Sequence, residues 1–137
     1  MRILGLDHIV LRVGDMERMI AFWRDVLGCE VEKVQAELGL VHIRAGAVLI
    51  DLVDIAGKLG REGGRAAGAE GRNLDHFCLR VEPFDPAAIR ARLEAHRVPV
   101  EAPKRRFGAE GYGDSIYLTD PEGNRIELKG PSAAGER

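Results

Sequence analysis

At 137 residues the chain matches one compact domain and can bury a core without disulfides, so a metal here would serve function rather than folding. Hydrophobic residues make up 45%, charged residues 31%, and the formal net charge is −2, which gives no field suited to nucleic acid or an anionic membrane surface. Cys29 and Cys78 have no Cys-x-x-Cys spacing and read as free thiols in a reducing compartment. The N-terminus runs directly into a strand pattern without a signal peptide's apolar region, so a cytoplasmic protein is expected.

The first element in chain order is a strand at residues 8 to 13, where alternation puts Ile9, Leu11 and Val13 on one face and His8, Val10 and Arg12 on the other. Asp15 then offers an N-cap, Ile20, Trp23 and Leu27 recur at helical spacing, and Gly28 is placed for a left-handed cap. Apolar runs at 30 to 35, 38 to 44 and 47 to 54 read as three further strands. A turn centred on Ala45-Gly46 would set His42 opposite Leu49, close to Asp51.

Residues 55 to 73 hold six glycines and six charged side chains, and read as a linker that is either a solvated tether or a lid over a site. Beyond it the pattern restarts. Asp7-His8-Ile9-Val10-Leu11-Arg12-Val13 returns as Asp75-His76-Phe77-Cys78-Leu79-Arg80-Val81, and Ile50-Asp51-Leu52 is echoed by Ile126-Glu127-Leu128. Asp85-Pro86 opens a second helix with Ile89 and Leu93 on its buried side, ended by Val98-Pro99. Strands are expected at 98 to 101, 114 to 119 and 124 to 129, the last two joined by the turn sequence Asp120-Pro121-Glu122-Gly123-Asn124. The order is βαβββ twice: module one at 3–54, linker at 55–73, module two at 74–130 and a frayed tail at 131–137.

Alternation also sorts the candidate ligands. If each helix covers the Ile9, Leu11, Val13 face and its repeat, then His8, Asp51, His76 and Glu127 all fall on the opposite, inner face of their strands. Two imidazoles and two carboxylates form a mixed nitrogen and oxygen set suited to one divalent ion such as Ni, Co, Zn, Mn or Fe(II), rather than to a soft thiolate site. On the same face His42 reads as structural, substrate-shaping or an extra ligand. Tyr117 could hydrogen-bond a substrate oxygen or simply pack. Arg12 and Arg80 could attract an anionic substrate or stand in solvent at strand ends. His96, at a helix C-terminus, reads as structural.

The two "DHxxLRV" openings and the closing run from Ser115 to Leu128 resemble the vicinal oxygen chelate superfamily, which includes glyoxalase I, extradiol dioxygenases, methylmalonyl-CoA epimerase and the fosfomycin and bleomycin resistance proteins. The resemblance covers residues 3 to 130. It implies an α+β fold in which paired βαβββ modules form a curled mixed sheet around a metal-binding cavity. It further implies a homodimer, and chemistry in which two adjacent oxygens of a small substrate are chelated. By this resemblance His8 and His76 match the ligands of the opening strands and Glu127 that of the last strand. Asp51 stands where glyoxalase I has a glutamate, and its shorter side chain binds the ion directly, through water or not at all. A glyoxalase-type lyase or isomerase follows, the metal acidifying a C–H and stabilising an enediolate while Glu127 or Asp51 carries the proton. The alternatives are an extradiol dioxygenase, whose additional histidine is missing from residues 107 to 112, and a non-catalytic binder of the antibiotic-sequestering kind.

Overall fold

The structure of the chain, a computed structural model, describes residues 1–132. It divides into two compact units, Met1–Gly71 and Arg72–Arg137, each built around one four-stranded mixed sheet. The expected tail lies mostly outside the described residues, at 133–137. Gly130, just before it, is fixed, its N–H donating to the Asp114 carbonyl at 2.9 Å.

In the first unit β1 (His8–Val13), β2 (Glu30–Gln35), β3 (Leu40–Ala45) and β4 (Val48–Asp54) assemble in the order β1-β4-β3-β2. β4 runs parallel to β1 and antiparallel to β3. Between β1 and β2 the chain forms α1 (Met16–Ala21), which widens into a π-helical turn over Phe22–Val26. Asp15 caps α1 by accepting from the Arg18 N–H at 3.0 Å, and Gly28 follows with φ 71°. The stripe that α1 and its extension bury is Met19, Phe22, Trp23 and Val26. The spacing had pointed to Ile20, Trp23 and Leu27, but Ile20 and Leu27 stay half-buried. The wide turn rotates the helical face near Trp23, which an ideal period of 3.6 residues does not anticipate.

Opposite that stripe stand Leu11 and Val13 of β1, Val41 and Ile43 of β3, and Ile50 and Leu52 of β4, all nearly or fully buried. Each contributes roughly 1.5–3 kcal/mol of burial energy, enough to lock strand register, because a slip by one residue would send this whole set to the other face. The β3–β4 hairpin turns on Gly46-Ala47, with Gly46 at φ 61°, so His42 pairs with Asp51 rather than with Leu49. The glycine, free to take positive φ, sits at the first turn position, one residue later than the sequence suggested.

The second unit repeats the plan with β5 (Phe77–Arg80), α2 (Pro86–Ala95), β6 (Lys104–Gly108), β7 (Gly111–Thr119) and β8 (Arg125–Lys129), in the order β5-β8-β7-β6. Asp85 accepts from the N–H groups of Ala87 and Ala88, and Leu93 is buried. The strand expected at 98 to 101 is corrected: only an isolated bridge joins Val100 to Leu118, and the edge strand is Lys104–Gly108. Its charged sequence Lys-Arg-Arg-Phe-Gly suits an edge strand bathed by solvent and hides the β pattern from a hydrophobic reading. Asp120 holds the β7–β8 turn, accepting from the N–H groups of Glu122 and Asn124.

The linker has structure of its own. Gly60–Gly63 forms a short 3-10 turn, and the Arg12 guanidinium donates to the carbonyls of Gly60, Gly64 and Arg65 at 2.9, 2.6 and 2.8 Å. Gly60 is obligatory for this path, since a Cβ there would lie 1.8 Å from the Asp54 carbonyl oxygen. No helix among the described residues is long and apolar enough to cross a membrane.

Candidate metal and substrate site

Each module gathers a histidine and a carboxylate on the face away from its helix. In the second, His76 ends the coil just before β5, and Glu127 sits mid-strand on β8, in register with Cys78 and Tyr117. His76 Nε2 lies 3.1 Å from Glu127 Oε2, while its Nδ1 lies 2.6 Å from the carboxylate of Asp75. The hydrogen bond to His76 holds the Asp75 carboxyl below its ordinary range. Glu127 is nearly buried, and its other oxygen accepts from the hydroxyl of fully buried Ser115 at 2.5 Å. A buried carboxylate is costly unless its lone pairs are satisfied, and Ser115 and His76 satisfy one oxygen each.

Tyr117 borders this pair. Its ring meets His76 edge to face at 5.6 Å, its hydroxyl accepts from Arg106 Nε at 3.2 Å, and the Arg125 guanidinium lies 4.2 Å from its ring centre. Cys78 shares the face, but burial, and then the negative charge of Glu127, push its thiol up to about 11. Both effects favour the neutral thiol over the thiolate. Cys29 is likewise free, its pKa raised by burial. Arg80, further along β5, pairs with Glu110.

In the first module His8 Nδ1 stands 2.6 Å from Asp7, repeating the Asp75–His76 pair. That hydrogen bond raises the His8 pKa, with Asp51 adding a smaller pull. Asp51 itself is taken by a different partner: His42 Nδ1 lies 2.7 Å from its Oδ1, and the other ring nitrogen of His42 lies 2.8 Å from Gln35 Nε2. With the Gln35 amide assigned as donor, His42 Nε2 accepts and Nδ1–H donates to Asp51. Arg12, on the same face of β1, donates to the linker through both terminal nitrogens. His96 caps the end of α2.

The structure therefore brings the candidates together in pairs, His76 with Glu127 and His42 with Asp51. Among the described residues no group of three or more His, Cys, Asp or Glu side chains is arranged to hold a metal ion. Sequence reasoning missed the supporting residues Asp7, Asp75, Ser115 and Gln35. The aspartates were visible in the repeated dipeptide itself. Ser115 was recoverable only from the register of β7 on β8, and Gln35 only from that of β2 on β3.

The sequence profile of the Glyoxalase/Bleomycin resistance protein/Dioxygenase superfamily matches residues 5–128. The chain belongs to this superfamily. Its two four-stranded mixed sheets fit the vicinal oxygen chelate fold, as the resemblance implied. Among curated relatives of this superfamily chain, a lactoylglutathione lyase of Salmonella typhimurium is 30% identical, over 96% of each chain. Virulence protein STM3117 of the same organism is 32% identical, over 90% of this chain and 81% of its own. Among solved structures, an integron cassette protein from the mobile metagenome of V. cholerae aligns at a TM-score of 0.77 with 28% identity, covering 96% of this chain and 98% of the other.

Proposed function

We propose that this chain is a metal-dependent lyase or isomerase of the glyoxalase type, acting on a small substrate through two adjacent oxygens. The observation that carries the reading is the His76–Glu127 pair with its supports. Ligand bonds of about 2.0–2.1 Å at right angles or tetrahedral angles set two donor atoms about 2.8–3.4 Å apart. His76 Nε2 and Glu127 Oε2, at 3.1 Å, have that spacing. The carboxylate on Nδ1 is the usual outer partner of a ligating histidine, fixing the ring and raising the basicity of its other nitrogen. Asp7 does the same for His8. His8, Asp51, His76 and Glu127 are the proposed ligand residues, and the near full-length similarity to a lactoylglutathione lyase supports the reaction class.

A bound divalent ion supplies Lewis acidity toward the substrate's oxygens and so lowers the pKa of the adjacent C–H. The proton moves to the chain. Glu127 would act as the base, because Ser115 holds Oε1 and leaves Oε2, beside His76, to accept the proton. Asp51 is the second carboxylate, its Oδ1 occupied by His42. Tyr117, held by Arg106 and Arg125, shapes the wall beside His76 and orients a substrate oxygen.

The ligand set is tested by reconstituting purified protein with Ni, Co, Zn, Mn and Fe(II) and counting bound metal. About one ion per chain is expected, lost in His76→Ala. Wild type that retains no ion under any of these conditions overturns the proposal in favour of a metal-free binding protein.

A further inference from the structure

The face that carries His76 and Glu127 continues into a region that the proposed reaction leaves unused. There β7 presents Gly111 and Gly113, both buried, and β8 presents Lys129, in register with Ser115 and with Arg80 of β5. Lys129 is only 6% exposed, and its Nζ has no hydrogen-bond partner among the described residues. The hairpin glycines are what admit its side chain. A Cβ at Gly113 would stand 2.7 Å from Lys129 Nζ, and one at Gly108 would stand 2.8 Å from its Cε.

A buried ammonium without an acceptor is an expensive arrangement, and an apolar side chain of the same length would fill this trough at lower cost. We propose that Lys129 and the glycine trough of β7 form an oxyanion subsite that takes a carboxylate or phosphoryl group of the ligand. The anion supplies the acceptor that the ammonium lacks. The lysine stem has freely turning methylenes, so Nζ can swing toward a ligand while the backbone of β8 stays fixed. Arg80, beside it in register and paired to Glu110, adds a second positive charge.

The position narrows the substrate class. Lys129 lies two residues beyond Glu127 on one strand and one face, about 7 Å along β8. A small molecule whose reacting carbon lies at Glu127 would then carry its oxyanion roughly that far away. This use of the subsite rests on the reading of Glu127 as the base, whereas the binding of an oxyanion at Lys129 does not.

The test accordingly uses metal-free full-length protein at constant ionic strength. Inorganic phosphate, methylphosphonate and acetate are titrated separately, while the Lys129 side-chain resonances are followed by NMR and affinity by calorimetry. Saturable binding of at least one anion that shifts the Lys129 signals, weakened about tenfold or more in Lys129→Met and retained in Lys129→Arg, is expected. Preference for phosphate and methylphosphonate assigns a phosphoryl group, and preference for acetate a carboxylate. The methionine fits the same trough, and circular dichroism of the variant confirms that it folds. Binding of equal affinity in Lys129→Met, or unshifted Lys129 signals at millimolar levels of all three anions, overturns the proposal. Because no metal is present, neither outcome bears on the metal-dependent reaction.

Discussion

Replacing Ser115 by alanine removes one oxygen from the interior and tests how Glu127 is held. Ser115 is 0% and Glu127 5% exposed, so solvent neither screens their 2.5 Å hydrogen bond nor replaces it after truncation. A hydrogen bond to a charged group contributes about 1.5–3 kcal/mol, and the vacated space is a single hydroxyl. The expected destabilisation is therefore about 2 kcal/mol. For a chain of this size the urea dependence of stability is near 2 kcal/mol/M, so the unfolding midpoint should fall by about 1 M with an unchanged slope. Turnover should fall too, because Oε1 is released to compete with Oε2. A midpoint shift below about 0.25 M would refute the claim that Ser115 positions Glu127.

Three further outcomes follow from the same geometry. Asp7→Asn should lower the His8 pKa, since its rise comes first from the hydrogen bond to the Asp7 carboxylate. The pair's stabilisation, complete below pH 6.5, fades as pH climbs through the raised value, and an unmoved His8 midpoint by NMR would contradict this. Arg12→Met should release the carbonyls of Gly60, Gly64 and Arg65 and speed trypsin cleavage at Arg61 and Arg65 several-fold, whereas an unchanged rate would show that the linker does not depend on Arg12. The exposed apolar side chains Ile3, Leu4, Leu6 and Val10 invite a partner surface, so a homodimer is expected by light scattering, and a 15.0 kDa monomer would refute it.

Much of this arrangement was legible in the residues. The repeated Asp-His opening and the Asp51/Glu127 echo pointed to the two mixed sheets, because a sheet face fixed by alternation leaves little freedom once a helix must cover the other side. The failures have local causes. β6 was invisible because a charged edge strand carries no hydrophobic period, and its pairing depends on the Gly108–Gly111 hairpin instead. The α1 stripe slipped where a π-helical turn departs from the ideal period. A turn displaced by one residue moved His42 from Leu49 to Asp51 and changed its meaning, making it the partner of a candidate ligand. For Arg12 the sequence left a substrate anchor and a solvent-exposed strand-end charge both open, because the linker carbonyls to which it donates lie dozens of residues away.

The central claim, that Glu127 moves a proton in a metal-dependent reaction at adjacent oxygens, is tested most directly by one comparison. Turnover of 2-oxoaldehyde–thiol adducts by wild type and Glu127→Gln is measured after loading with Ni, Co or Zn, with oxygen excluded. The glutamine keeps the shape of the side chain and removes its basicity. Conversion of an adduct by wild type, abolished in Glu127→Gln, is the predicted result. Undiminished turnover in the variant, or oxygen consumption with a catechol and Fe(II) in place of adduct conversion, would contradict it.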